Sequence, residues 1–172
     1  MLFRSVWYDS KHYTANVMRA DGKVFIRGFY LFDDRIEDVY ETVPCTTFDA
    51  VYENMPLVDT HYQKGDTNGG YGMILKENAE KLSAYKSDDE ELTVVWDESS
   101  VIFKNDRVLL NNCNVNFTSF MVNTKISIDK DLILYEYKNH KYALKVEGAE
   151  VSLDDNVLTL AGEKITLIPT KL

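Results

Sequence analysis

Four of the chain's eight glycines lie in one short stretch, KGDTNGGYGM, at residues 64–73. A glycine-rich loop can cradle phosphate when its motif ends in a lysine and a hydroxyl residue, which supply charge and a magnesium ligand. Gly65 and Gly70 have the spacing of that motif, but Tyr71 and Gly72 occupy the positions of the lysine and the hydroxyl residue. Because the charge that would offset the phosphates is missing, no phosphate-binding loop is predicted here.

The same stretch also approaches the pattern of a calcium loop. Asp66, Asn68 and Glu77 fall at positions 1, 3 and 12 of an EF-hand frame. Position 5 is Gly70, which has no side-chain oxygen, and position 6 is Tyr71, where the sharp turn needs glycine. The sequence therefore predicts neither a metal nor a cofactor, and the glycines are expected to permit positive φ in an irregular loop.

The His61–Gly72 loop holds the chain's best candidates for small-molecule chemistry. His61, at the start of this loop, lies two residues after Asp59, and a carboxylate near an imidazole can activate it as a general base. Asp66 is a further acid, and Tyr62 and Tyr71 add apolar area with a polar tip. The alternative function is therefore a small-molecule or nucleotide binder or hydrolase whose site includes these residues.

Two tyrosines in LYEYK form a second aromatic candidate. In a strand, Tyr135 and Tyr137 share one face because side chains two residues apart point the same way. The pair is either an edge of the core or a platform for stacking or protein contact.

The net charge of −9 is concentrated in two segments. Residues 33–59 have eight acids and one base, which gives −7, and residues 87–98 have six acids and no base, which gives −6. This balance argues against direct binding to nucleic acid or to anionic membranes, which attract excess Lys and Arg. An acidic face instead favours a protein partner with a basic surface. The candidate residues are Asp34, Glu37, Asp38, Glu41, Asp49 and Glu53.

Most elements that must position these side chains are predicted strands. In residues 1–32, Asp21-Gly22 lies between two β-favouring runs and predicts a hairpin. From residue 92 to residue 172, turn residues recur about every ten positions and predict an antiparallel β-meander, in a sandwich or a barrel.

Two or three short helices are expected within residues 33–86. The first two are predicted from apolar residues at i, i+3, i+4 and i+7, and the third from a looser spacing. The three apolar sets are Ile36, Val39, Tyr40 and Val43; Phe48, Val51, Tyr52 and Met55; and Leu75, Ala79 and Leu82 around a helix at Lys76–Tyr85. The expected fold class is therefore α+β and β-rich, in a single domain over residues 1–172.

The leading function hypothesis is a non-catalytic, acidic protein-binding or assembly module. It could be an inhibitor or immunity-type protein, or a component of a larger particle such as a phage virion. The N-terminal MLFRSVWYDS lacks the apolar run of a signal peptide, and Cys45 and Cys113 lack metal-ligand spacing. We therefore expect reduced thiols and a location in the cytoplasm or within an assembled particle. A homo-oligomer is compatible with the sequence.

Overall fold

In the residues that the structure describes, all regular structure consists of β-strands. The computed structural model describes residues 4–36, 43–44, 46, 55–59, 72–86, 90–118 and 124–172. These ranges contain sixteen strands and no helix, and so no helix long and apolar enough to cross a membrane. The strands are β1 (Arg4–Asp9), β2 (Tyr13–Ala20), β3 (Lys23–Leu31), β4 (Met55–Asp59), β5 (Met73–Lys76), β6 (Ser83–Lys86), β7 (Leu92–Trp96), β8 (Ser99–Lys104), β9 (Arg107–Asn111), β10 (Val115–Thr118), β11 (Thr124–Asp129), β12 (Leu132–Tyr137), β13 (His140–Glu147), β14 (Glu150–Asp154), β15 (Val157–Ala161) and β16 (Lys164–Lys171).

The strands form two antiparallel sheets. Sheet A has the order β1-β2-β3-β5-β10-β15-β14, with β4 also paired to β3. Sheet B has the order β11-β12-β13-β16-β9-β8-β7-β6, so β16 joins the strands β11 to β13 to the strands β6 to β9. The two sheets contribute to one hydrophobic cluster, in which Phe29 and Leu158 of sheet A and Trp96 and Leu144 of sheet B are buried. The architecture is therefore a β-sandwich.

The predicted α+β class is wrong, because the described parts of residues 33–86 form turns and strands. Asp34 and Arg35 lie in a turn, and Met55 and Pro56, at the end of the second predicted helix, lie in β4. The centres of the first two predicted helices fall outside the described residues. Both helices were marginal on physical grounds, since a helix of about three turns is stable only when tertiary packing supports it.

The third predicted helix shows why apolar spacing gave the wrong element. Leu75, Ala79 and Leu82 are all buried, as a helical face would require. Leu75, however, lies in β5, and Asn78 has a φ of 59°, a left-handed conformation that a helix does not continue through. The amide of Ala79 donates to the carbonyl oxygen of Gly22 at 2.7 Å, which fixes this irregular segment against the first hairpin. The pattern thus identified core residues but not their backbone conformation.

Two-residue turns close several hairpins. The hairpin predicted at Asp21-Gly22 is confirmed, because these residues join β2 to β3 with φ values of 50° and 77°. Positive φ at both central residues is the type I′ geometry, whose twist matches that of paired strands. The same geometry recurs at Lys138-Asn139, with φ values of 48° and 78°, and at Asp155-Asn156, with φ values of 42° and 65°.

One long hairpin bends from sheet B into sheet A. Strands β13 and β16 pair in sheet B, whereas β14 and β15, which lie between them in sequence, pair in sheet A. Gly148, with a φ of 79°, and Gly162 lie at the two corners. An ideal Cβ at Gly148 would be 2.1 Å from the carbonyl oxygen of Lys164, and one at Gly162 would be 2.3 Å from that of Gly148. The two backbones therefore approach each other at a distance that only glycine permits.

An aromatic cluster joins the two sheets at one end of the sandwich. Tyr8, Tyr13 and Phe29 come from sheet A, and Phe103 comes from sheet B. The ring centroids of Tyr8 and Phe103 are 5.4 Å apart with an interplanar angle of 16°, and Tyr13 meets Phe29 edge-on at 5.2 Å. Offset and edge-on ring pairs add stability beyond the area they bury.

The hydroxyl of Tyr13 fixes the β8–β9 turn to this cluster. It lies 2.6 Å from the carbonyl oxygen of Lys104 and 2.9 Å from that of Arg107, the residues on either side of the turn. Burial raises the pKa of Tyr13 well above its ordinary value, so the hydroxyl stays protonated and can donate. The contact therefore holds a turn of sheet B to the first residue of β2 in sheet A.

Candidate functional site

Most of the candidate residues chosen from the sequence lie outside the described ranges. They are Glu37, Asp38, Glu41, Asp49 and Glu53 of the acidic segment, and His61, Tyr62, Asp66 and Tyr71 of the glycine loop. Asp34, Tyr135 and Tyr137 are described. Among the residues that the structure describes, no three His, Cys, Asp or Glu side chains form a group that could hold a metal ion.

The described start of the first acidic segment is tied to the end of β16. The guanidinium of Arg35 donates to Asp33, with an Nε–Oδ1 distance of 3.0 Å, and this hydrogen bond holds the pKa of Asp33 below its usual range. The Nη1 atom of Arg35 also donates to the carbonyl oxygen of Leu172 at 2.8 Å. Asp34 is exposed in the same turn. Its carboxylate is thus accessible, while its neighbouring acid is engaged within the fold.

A buried acid, Asp59, ends β4 just before the glycine loop. Its Oδ1 atom accepts a hydrogen bond from the hydroxyl of Tyr30 at 2.8 Å, and both side chains are buried. The ring of Tyr30 covers Gly28, where an ideal Cβ would be only 2.7 Å from a ring carbon. A glycine at this position therefore makes room for the tyrosine that meets Asp59. The pair is a polar contact between β3 and β4, two residues before His61.

Tyr135 and Tyr137 lie in β12 with different surroundings. Tyr135 is fully buried and stacks on Tyr142 of β13, with ring centroids 5.2 Å apart and an interplanar angle of 7°. Tyr137 is half-buried, and the Nζ atom of Lys138 lies 5.5 Å from its ring centroid. Tyr135 therefore belongs to the core and offers no surface to a partner, whereas part of Tyr137 reaches solvent.

The two stacked tyrosines differ in the hydrogen bonding of their hydroxyl groups, and this difference predicts unequal mutational effects. The hydroxyl of Tyr142 donates to the carbonyl oxygen of Pro56 at 2.8 Å, whereas that of Tyr135 has no partner among the described residues. Burial raises the pKa of both tyrosines, so both hydroxyls stay protonated. We expect Tyr142→Phe to lower the free energy of unfolding by about 1–3 kcal/mol, because the buried carbonyl loses its donor. Tyr135→Phe should be neutral or slightly stabilising. Urea unfolding measures both variants, and equal losses of stability would contradict this account.

An open groove of about 550 Å³ lies on the outer face of sheet B. Leu134 and Leu172 contribute apolar lining, and Lys125, Glu136 and Lys141 stand directly opposite one another on adjacent strands. Opposite charges in such cross-strand positions stabilise each other. The groove therefore does not favour a ligand of one charge.

Strand β14 offers a more distinctive surface, because it ends sheet A and no described strand pairs with its outer side. A two-residue turn makes Asp154 and Val157 the first hydrogen-bonded pair of the β14–β15 ladder. Hydrogen-bonded and non-hydrogen-bonded pairs alternate along an antiparallel ladder. The backbone groups of Glu150, Ser152 and Asp154 therefore bond to β15, and those of Val151 and Leu153 point outward. We call Glu150–Asp154 the β14 edge.

Aliphatic side chains lie on the core-facing side of the β14 edge and on the nearby end strand of sheet B. Val151 and Leu153 share the inner face of β14, opposite the buried Leu160 and Leu158 of β15. Leu153 is 42% exposed. Strand β11, the end strand of sheet B, comes close to β14, and its half-buried residues Ile126 and Ile128 pack against the core. The two sheet edges thus present aliphatic surface that is only partly covered.

The β14 edge lies in an acidic segment. Residues 147–163 contain five acids and no base, namely Glu147, Glu150, Asp154, Asp155 and Glu163. Glu147 pairs with Lys145 at 2.8 Å, but no ion pair within the described part of the chain engages the acids at 150, 154 and 155. A count over residues 99–172 hides this cluster, because nine acids and nine bases cancel there. The excess of acids appears only when charges are summed over the shorter range 147–163.

The opposite edge of sheet A, β1, provides a useful comparison. Its Trp7 is 50% exposed, so it too presents an exposed apolar side chain. The hydroxyl of Tyr8, however, donates to the carbonyl oxygen of Glu90 at 2.7 Å, which ties β1 to the segment before β7. The β1 edge therefore combines exposed apolar surface with a contact to the rest of the fold.

Comparison of the chain with protein-family models, with curated proteins and with solved structures finds no match.

Proposed function

We propose that this protein is a non-catalytic protein-binding or assembly module that engages its partner through the β14 edge. The observation that carries the proposal is an open strand edge on which outward backbone groups lie beside the exposed side chain of Leu153. Unpaired backbone amides and carbonyls on an edge strand can pair with a strand from another chain. Many proteins protect such edges with charged side chains, above all lysine, with proline or with a bulge. The sequence EVSLD has no lysine or proline and its pairing register with β15 is continuous, so its charges are the carboxylates of Glu150 and Asp154, which a basic partner would match.

The charge of this region supports a protein as the partner. Glu150, Asp154 and Asp155 would repel the phosphates of nucleic acid and of anionic lipid. A strand from another protein can satisfy the backbone groups and cover the aliphatic side chains at the same time. Binding through main-chain hydrogen bonds with side-chain pockets for specificity is the usual pattern of strand addition.

A substitution that blocks only the outer side of β14 tests this proposal. Val151→Pro removes one outward amide but no hydrogen bond to β15, so the fold should be retained. The matched control is Trp7→Ser, which removes exposed apolar surface from the β1 edge. The immobilised proteins would be compared for capture of partners from native lysate, after circular dichroism and thermal melts confirm folding.

We expect wild type and Trp7→Ser to capture the same partner and Val151→Pro to lose it. Hydrogen exchange on the purified complex then locates the contact, because a bound strand should slow exchange at the amides of Val151 and Leu153. Equal capture by Val151→Pro, unchanged exchange at these amides, or no capture by wild type would contradict the proposal.

A further inference from the structure

We propose that the segment bound at the β14 edge is an extended strand in which basic and aliphatic residues alternate. This inference rests on the proposed protein-binding function and names the chemistry of its partner. The expected pattern is basic, aliphatic, small polar, aliphatic, basic. It follows from the side chains of EVSLD, taken one face at a time.

The inner face of β14 selects the aliphatic positions. Val151 and Leu153 lie on the core-facing side of β14, and Val151 packs against the hydrophobic cluster to which Ile126 and Ile128 of the nearby β11 also contribute. A strand added to β14 would place every second side chain on this same face, next to Val151 and Leu153. Aliphatic side chains there would cover the exposed part of Leu153 and extend the hydrophobic cluster by one strand.

The outer face of β14 selects the basic positions. Glu150 and Asp154 lie on this face at the two ends of the strand, with Ser152 between them. Side chains directly opposite each other on paired strands interact most strongly, and opposite charges there are favourable. Lysine or arginine is therefore expected opposite each acid, and a small polar residue such as threonine opposite the serine. Asp155, in the adjoining turn, adds to the same negative field.

The same charges argue against a second copy of this chain as the occupant. If two β14 edges paired antiparallel about Ser152, Glu150 of each copy would face Asp154 of the other. Like charges directly opposite across a strand pair are destabilising. Neither end of the strand carries a base that could offset this repulsion, since residues 147–163 contain none.

Synthetic peptides test the pattern on the intact protein. The first peptide carries the order Lys, Val, Thr, Val, Lys between flexible Gly/Ser flanks, and the second replaces both lysines with glutamate. A third has the composition of the first with the alternation broken, in the order Lys, Lys, Thr, Val, Val. The charge-reversed variant Glu150→Lys/Asp154→Lys is the control for charge on the protein side. It keeps the backbone edge and the inner-face side chains of β14 unchanged.

We expect wild type to bind the basic alternating peptide about tenfold or more tightly than the acidic one, and the charge-reversed variant to invert this preference. The peptide with broken alternation should bind at least about tenfold more weakly, because one face can no longer be both charged and continuous. Fluorescence anisotropy gives the affinities. Hydrogen exchange at Val151 and Leu153 shows whether binding occurs at this edge.

Three results would overturn the inference, and the first two separate it from the proposed function. If a captured protein protects the amides of Val151 and Leu153 but the basic peptide does not bind, the partner chemistry is wrong and the protein-binding edge stands. If neither a protein nor any peptide protects these amides, both proposals fail. An equal affinity of wild type for the basic and acidic peptides would likewise exclude selection by charge.

Discussion

Replacement of Gly148 by alanine is expected to lower the free energy of unfolding by about 2–5 kcal/mol. Two effects add to this loss. The backbone is left-handed, with a φ of 79°, which costs a residue with a side chain about 1–2 kcal/mol. The new Cβ would also lie 2.1 Å from the carbonyl oxygen of Lys164, so one backbone must move, and overpacking of this kind costs about 1–3 kcal/mol more.

Two further glycines separate these effects. Gly22 has a φ of 77°, but the nearest atom to its ideal Cβ is the Cα of Asn78 at 3.9 Å. Gly22→Ala should therefore show the cost of the conformation alone, about 1–2 kcal/mol. Gly162→Ala tests the close approach, because its Cβ would lie 2.3 Å from the carbonyl oxygen of Gly148. Urea unfolding would measure all three variants. A loss for Gly148→Ala no larger than that for Gly22→Ala would show that the corner can open without cost.

Phe103→Ala is expected to lower the free energy of unfolding by about 3–5 kcal/mol, through the cavity that it leaves. Phe103 is fully buried and supplies the sheet B ring of the aromatic cluster. Its removal also ends the stacking contact with Tyr8, so the substitution weakens one end of the contact between the sheets. Equilibrium unfolding in urea, followed by tryptophan fluorescence, gives the change in stability.

The neighbouring Ile102 provides the control for Phe103→Ala. It lies on the opposite face of β8 and is only half-buried, so Ile102→Ala should cost about 1 kcal/mol. Comparison of the two substitutions tests whether side chains on the inner face of β8 contribute more to the free energy of unfolding than those on its outer face. Similar losses for both would contradict the assignment of Phe103 to the contact between the sheets.

The strands were predictable from sequence where turn chemistry defined their ends. Asp21-Gly22 permits two residues at positive φ between β-favouring runs, and the hairpin is found there. The helix predictions failed because a short series of apolar residues with helical spacing also fits an extended or irregular backbone. Leu75, Ala79 and Leu82 are core residues in an irregular and extended segment rather than in a helix. Local spacing indicates which side chains are buried, but long-range strand pairing determines how the chain presents them.

The candidate site could not be predicted from the sequence, because it depends on which strand ends the sheet. Glu150–Asp154 has the composition of an ordinary strand, and only the sheet order shows that it lies at an edge. Its acids also cancel against distant bases when charge is summed over long segments. A local charge count would have drawn attention to residues 147–163. The outward direction of the backbone of Val151 and Leu153 requires the pairing register with β15.

The central position of β16 has a consequence for the order of folding. In sheet B, β16 fills the space between β13 and β9, yet it follows both of them along the chain. During synthesis, the edges of β9 and β13 that β16 occupies in the folded sheet therefore lack this partner until Lys164–Lys171 has emerged. Exposed strand edges of this kind favour misassembly between nascent chains. Sheet B therefore cannot be completed until this one strand is available to join the groups of strands on its two sides.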